Sequence, residues 1–129
     1  MSDWVWLDTP IARAVHERSL VLHGGAAGIR DEGLLESALA RPQQLVAYGG
    51  AVDTVALATA YTTGIVRNHP FVDGNKRTGF VMGVLFLELN GYRFTASEEA
   101  ATQAVMNLAA GTMTEEAYAT FLRENVIPG

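Results

Sequence analysis

The segment His69-Pro70-Phe71-Val72-Asp73-Gly74-Asn75-Lys76-Arg77-Thr78-Gly79 gathers an imidazole, a carboxylate, an amide and two adjacent cations. It runs straight into the apolar stretch that begins at Phe80, so it reads as a turn feeding the N-terminus of a helix. Unpaired backbone N–H groups and the positive end of the helix dipole make an anion site there before any side chain is counted. Gly74 has the backbone freedom for a turn whose N–H groups converge. Lys76 and Arg77 put two positive charges into a first turn that ordinarily favours acids, so a bound anion is expected to balance them. Asp73, a hard oxygen donor beside this site, suits Mg²⁺ held jointly with phosphates. His69 supplies an imidazole, the side-chain type suited to general-base work near neutral pH. Taken singly, each residue also has an ordinary structural reading. A His-Pro pair commonly closes a helix, an aspartate commonly caps one, and neighbouring cations commonly face solvent. Phe71 is an anchor for the turn in either case. The chemical reading rests on their coincidence at the start of an apolar helix.

Composition narrows what this chemistry can be. With 129 residues, 49% hydrophobic and 18% charged, the expectation is a single globular domain spanning residues 1–129. Nine Lys and Arg against fourteen Asp and Glu give a net charge of −5, which argues against a direct nucleic-acid binder. Cysteine is absent, so disulfides and thiolate zinc sites are excluded. The start, Met1-Ser2-Asp3-Trp4, lacks the basic residues and apolar core of a signal peptide. The longest apolar run, Val81 to Leu89, is too short for a bilayer, so a cytoplasmic protein without membrane contact is expected. Lys76 is the one lysine beside eight arginines. Codon bias explains the scarcity but not the location, and no Gly-Lys-Ser/Thr phosphate loop can exist around it. The protein-kinase signature set is missing as well. His16 and His23 have no acidic or cysteine partner in ligand spacing, so neither is assigned a metal or a catalytic role.

The elements that must position the segment are helices. A first is predicted from Thr9-Pro10 to Gly24-Gly25, with Ile11, Val15 and Leu22 inward and Ala14 filling in. Asp31 caps a second, carrying Leu34, Leu35, Ala38 and Leu39 and stopping before Pro42. Gln43 to Gly50 is then either a short helix or a flap. Asp53 or Thr54 caps a third helix with Leu57, Tyr61, Gly64 and Ile65 on its stripe, ending before Pro70. The fourth runs from Asn75 to Asn90 and is apolar on nearly every side, which predicts a central, buried helix. Gly79 and Gly83 would let a neighbour approach it closely, and Gly91 would end it. An extended piece, Tyr92 to Thr95, precedes helices over Ser97–Ala110 and Thr114–Asn125. The fold class is all-α, about six helices around one buried helix.

The segment resembles the signature of the Fic/Doc family, His-Pro-Phe-x-Asp/Glu-Gly-Asn-Gly/Lys-Arg. Its lysine form is similar to the Doc branch, the "death on curing" toxins of toxin–antitoxin modules. The stretch Gly28-Ile-Arg-Asp-Glu-Gly-Leu-Leu-Glu-Ser-Ala-Leu-Ala-Arg-Pro42 is Doc-like too. The resemblance implies that His69 deprotonates an incoming hydroxyl, that Asp73 holds Mg²⁺, and that Gly74, Asn75 and Lys76 cradle phosphate. Arg77 would neutralise charge developing in phosphoryl transfer, which is mostly positioning and electrostatics.

Two departures from the Fic form bear on which phosphate of ATP is attacked. Lys76 stands where Fic enzymes have a second glycine, and Phe80 where they have a second arginine. In adenylyl-transferring relatives those positions hold the distal phosphates. Their replacement resembles Doc and implies transfer of the γ-phosphate to a Ser/Thr hydroxyl, with elongation factor Tu as the implied substrate. Protein adenylyl transfer and a catalytically weak phosphate-binding module are the alternatives. Thr120-Phe-Leu-Arg-Glu124-Asn125 fits the Fic autoinhibitory pattern, but its arginine partner is absent, so Glu124 reads as a surface residue. Doc-type restraint instead implies a separate antitoxin whose C-terminal segment docks in a groove. Trp4, Val5, Trp6 and Leu7 either contribute to that surface or pack into the protein's own core.

Overall fold

The computed structural model describes residues 3–49 and 52–129. Met1, Ser2 and Gly50, on which parts of the N-terminal and flap readings rest, lie outside the described residues. Six helices follow in order: α1 (Thr9–His23), α2 (Glu32–Tyr48), α3 (Thr54–Asn68), α4 (Asn75–Leu89), α5 (Glu98–Ala110) and α6 (Glu115–Arg123). A two-stranded antiparallel ribbon pairs β1 (Tyr92–Phe94) with β2 (Val126–Pro128), Arg93 opposite Ile127. The all-α class holds, and β2 is an addition that the three short residues Val126 to Pro128 did not announce.

Side chains start five of the helices. Asp8, Asp31, Asp53, Ser97 and Thr114 each accept a hydrogen bond from the backbone N–H three residues on, at 2.8–3.1 Å. The helix that is enclosed is α3 rather than α4, a correction to the sequence reading. From Leu57 to Val66 every residue of α3 is buried, and it packs against α2, α4, α5 and α6. By contrast, α4 leaves Val81 and Leu89 exposed. Small residues explain the difference. Ala58, Ala60, Thr62 and Gly64 let neighbours close in, and two buried threonine hydroxyls donate to carbonyls, Thr59 to Val55 and Thr62 to Gly79, while that of Thr63 has no partner among the described residues. Among the described residues no other helix covers the bulky outer face of α4, which lines a groove instead.

Glycines set the α3–α4 spacing as expected. A Cβ on Gly83 would lie 2.3 Å from Thr62 Oγ1 and 3.0 Å from the Ala58 carbonyl oxygen. Helix α2 departs from expectation, since it does not stop before Pro42 but runs to Tyr48 with the proline buried inside it. Pro42 leaves the Ala38 carbonyl without its i+4 donor, and Gly64 of α3 packs its bare backbone against that carbonyl. Residues 43–48 are thus helix, not flap.

The stripe of α1 also differs. Ala12, His16 and Ser19 are the buried positions, whereas Leu22 is exposed. Most of the N-terminal segment packs on the core: Leu7 is buried, its N–H donates to Tyr61 Oη at 3.0 Å, and Trp4 and Trp6 pack against the core half-buried, Trp6 on Phe86, whereas Val5 is exposed. Burial raises the Tyr61 phenol above its ordinary pKa. Among the described residues no helix is long and apolar enough to cross a membrane.

Candidate active site

His69 ends α3 in the left-handed conformation, φ 54°, the one non-glycine residue with positive φ among those described. Histidine tolerates this region better than most side chains, but it must still be held there. Three contacts do so. Its N–H donates to the Ile65 carbonyl at 3.0 Å. Arg30 reaches across from the segment before α2, with Nε donating to His69 O at 2.7 Å and Nη2 to Asn68 O at 2.9 Å. Pro70 O then accepts from the N–H groups of Arg30 and Asp31, and Val72 N–H donates to Gly28 O. The Doc-like stretch beginning at Gly28 is therefore the splint of the histidine turn. Sequence reasoning gave Arg30 no part in the site.

Asn75 locks the turn from inside. It is buried, and its Oδ1 accepts from Phe71 N–H at 2.9 Å while Nδ2 donates to Phe71 O at 2.9 Å. This pair fixes which way the amide faces, so Nδ2 also donates to His69 Nδ1 at 3.1 Å. On that hydrogen-bond network the neutral His69 ring carries its proton on Nε2. The Asn75 side chain thus faces the turn and His69, which leaves its backbone N–H as the group at this position without an acceptor inside the helix. Phe71, fully buried, is the anchor expected.

Gly74 begins α4 at φ 77° with no side-chain cap, unlike the other five helices. The N–H groups of Asn75, Lys76 and Arg77 have no acceptor within the helix. Lys76 and Arg77 are exposed, and among the described residues neither forms an ion pair. Asp73 is exposed too. Its Oδ2 accepts from Ala26 N–H at 3.2 Å and its Oδ1 from Gly74 N–H at 2.8 Å. Those two bonds hold the carboxyl below its ordinary pKa, with smaller help from the His16 and His69 imidazoles.

His69, Asp73, Gly74, Asn75, Lys76 and Arg77 all line one cavity of about 370 Å³. Its far wall comes from Phe80 of α4 and from Thr102, Val105 and Met106 of α5. The α5 residues were read only as helix, and the one hint was an exposed methionine beside an inward stripe. An exposed carboxylate, free cations and unsatisfied N–H groups on one cavity suit a Mg²⁺-bound polyphosphate. Elsewhere, Thr120 hydroxyl donates to Glu116 O, and Glu124 is an exposed residue closing α6.

Comparison with known proteins agrees with this geometry. A profile described as "Fic/DOC family" matches residues 6–87. "Protein kinase doc" of Escherichia phage P1 is 34% identical over 110 residues, covering 85% of this chain and 86% of that protein. "Toxin Doc" of Mycolicibacterium smegmatis is 42% identical over 80 residues, 59% of each chain.

Proposed function

This chain belongs to the Fic/Doc family, on its Doc side, and from that premise we propose that it is the kinase toxin of a toxin–antitoxin pair. It would transfer the γ-phosphate of ATP to a Ser/Thr hydroxyl of a protein and so halt translation in the cytoplasm. The observation that carries the reading is the start of α4. Two cations that have no ion-pair partner among the described residues and an uncapped helix N-terminus share a cavity with an exposed carboxylate and imidazole. The names of both relatives, a kinase and a toxin, point the same way.

The proposed step is a displacement at phosphorus. The hydroxyl oxygen bonds to the γ-phosphorus, the bond to the bridging oxygen of ADP breaks, and the hydroxyl proton passes to His69. In the resting arrangement the one lone pair of the His69 ring is engaged by Asn75. Accepting the proton therefore requires the ring to turn off Asn75, a side-chain rotation open to an exposed residue. Lys76 and Arg77 hold phosphate oxygens, and the N–H groups at the start of α4 complete the cradle. Asp73 would hold Mg²⁺, which supplies charge neutralisation and orientation of the phosphates. Phe80 on the cavity wall offers no charge to a distal phosphate, which favours γ- over α-transfer.

An antitoxin C-terminal segment has a fitting surface in the neighbouring groove of about 630 Å³. Ile11, Val15 and Leu22 of α1 face Val81 and Leu85 of α4 across it, with Arg77, Phe80 and Thr102 shared with the phosphate cavity. An amphipathic helix laid there would cover the outer face of α4. ATP labelled on the α- or the γ-phosphate, offered with a bacterial lysate and with purified elongation factor Tu, tests the chemistry. Protein labelling from γ alone, abolished in His69→Ala, is expected. Labelling from α assigns adenylyl transfer and overturns the kinase, and no transfer leaves a phosphate-binding module.

A further inference from the structure

His16 has no part in the chemistry above, yet it is only 3% exposed and meets the motif turn at three points. Its ring stacks on Phe71, with centroids 4.0 Å apart and planes 11° from parallel. Its Nε2 lies 2.8 Å from the Asp73 carbonyl oxygen. A carbonyl only accepts, so the ring carries its proton on Nε2 and donates it. The same ring closes the space beside Gly74, where a Cβ would sit 3.8 Å from Cδ2 and Nε2. His16 itself does not line the phosphate cavity, so it bears on that cavity only through Asp73 and Gly74, which do.

We infer that His16 is a positioning residue for the Asp73 carboxylate, acting through a single peptide unit. The peptide joining Asp73 to Gly74 is trans, so its C=O and N–H point opposite ways. With the oxygen held by His16, the N–H on the other side donates to Asp73 Oδ1 at 2.8 Å. The buried imidazole sets the plane of the peptide, and the peptide sets the carboxylate. Asp73 Oδ2 is then turned to Ala26 N–H, beside Gly25, where any Cβ would lie 2.9 Å from that oxygen. Partners one shell behind a metal-binding group typically change metal affinity about 10–100-fold when removed. The catalytic consequence rests on Asp73 being the Mg²⁺ ligand of the proposed kinase, whereas the structural relay does not.

The full chain carrying His16→Gln or His16→Phe, compared with the parent, tests this. Glutamine can return an N–H to the Asp73 carbonyl, while phenylalanine keeps the stack on Phe71 and has no donor. Amide hydrogen exchange at Gly74 and Ala26 needs no nucleotide. Protection is expected to persist in His16→Gln and to fall about tenfold in His16→Phe. The Mg²⁺ concentration for half-maximal γ-phosphate transfer is expected to rise about tenfold or more in His16→Phe and to stay within about threefold in His16→Gln. A folded His16→Phe with parental exchange at Gly74, or with a parental Mg²⁺ requirement, overturns the inference. So does a folded His16→Gln that loses the protection, and this variant decides alone should His16→Phe fail to fold. Absence of transfer by the parent defeats the kinase reading, while the exchange data still decide the role of His16.

Discussion

Among the described residues Lys76 has no ion-pair partner, and it sits one residue inside an uncapped helix, so no carboxylate among them neutralises it. If phosphate does, loss of the ammonium should weaken ATP more than a change of its shape. Lys76→Gly is expected to raise the KM for ATP about tenfold or more, and Lys76→Arg less, because arginine keeps the charge but not the point-like geometry. Equal effects of the two substitutions would count against a phosphate contact. Asp73 makes a second prediction at this scale. The Ala26 and Gly74 N–H groups hold its folded pKa below the ordinary 3.8. A depressed carboxylate contributes stability that is fully present above its unfolded pKa and is lost as pH falls through the folded one. The Tm difference between the parent and Asp73→Asn should therefore be largest near neutrality and shrink below about pH 4. A difference independent of pH would mean the two N–H bonds do not favour the charged form.

Between helices, the α3–α4 contact is the most extensive, and it sets how the end of α3 stands against the start of α4, which is the span of the site. Gly83→Ala would drive a Cβ to 2.3 Å from Thr62 Oγ1, a hydroxyl already committed to Gly79 O at 2.8 Å. Overpacking of this kind costs about 1–3 kcal/mol, so urea unfolding of Gly83→Ala should show a loss near the upper end. The matching probe on the outer side is Leu22→Ser, since Leu22 is 59% exposed on the groove. It should change stability by less than about 0.5 kcal/mol while weakening an antitoxin peptide. The ion pair of Arg123 with Asp53 ties α6 to the start of α3. Partial burial works to raise the Asp53 pKa, but the guanidinium and the Ala56 N–H outweigh it, and the net shift is down. The boundaries of these helices were readable because Asp31, Asp53, Ser97 and Thr114 are caps written into the sequence. Which helix is enclosed was not, because bulky apolar residues mark α4 while small ones bury α3. Pro42 misled for a related reason: a proline reads as a stop unless a neighbour such as Gly64 can cover the carbonyl it frees.

Across the whole chain, the site was legible to the extent that it is contiguous. His69 to Arg77 are contiguous, from the end of α3 to the first turn of α4, so their grouping could be read in the sequence; Arg30, His16 and the α5 wall of Thr102, Val105 and Met106 come from distant segments and needed the fold. That dispersal has a thermodynamic consequence. A nucleotide in this cavity would touch the junction of α3 with α4 and the face of α5, surfaces that exist together only in the folded chain. Ligand that binds the native state alone stabilises it by RT ln(1 + [L]/Kd), about 2.7 kcal/mol at a hundred times Kd. The net charge of −5 opposes a polyphosphate at long range, but physiological salt screens beyond about 8 Å, leaving the contact with Lys76 and Arg77 dominant. Mg²⁺ with ATP is therefore expected to raise Tm in physiological salt, more than ATP alone does. The rise should shrink in Lys76→Gly, and Asp73→Asn should remove the advantage that Mg²⁺ confers. An undiminished rise in both variants would place the nucleotide elsewhere on the protein and detach Lys76 and Asp73 from its binding.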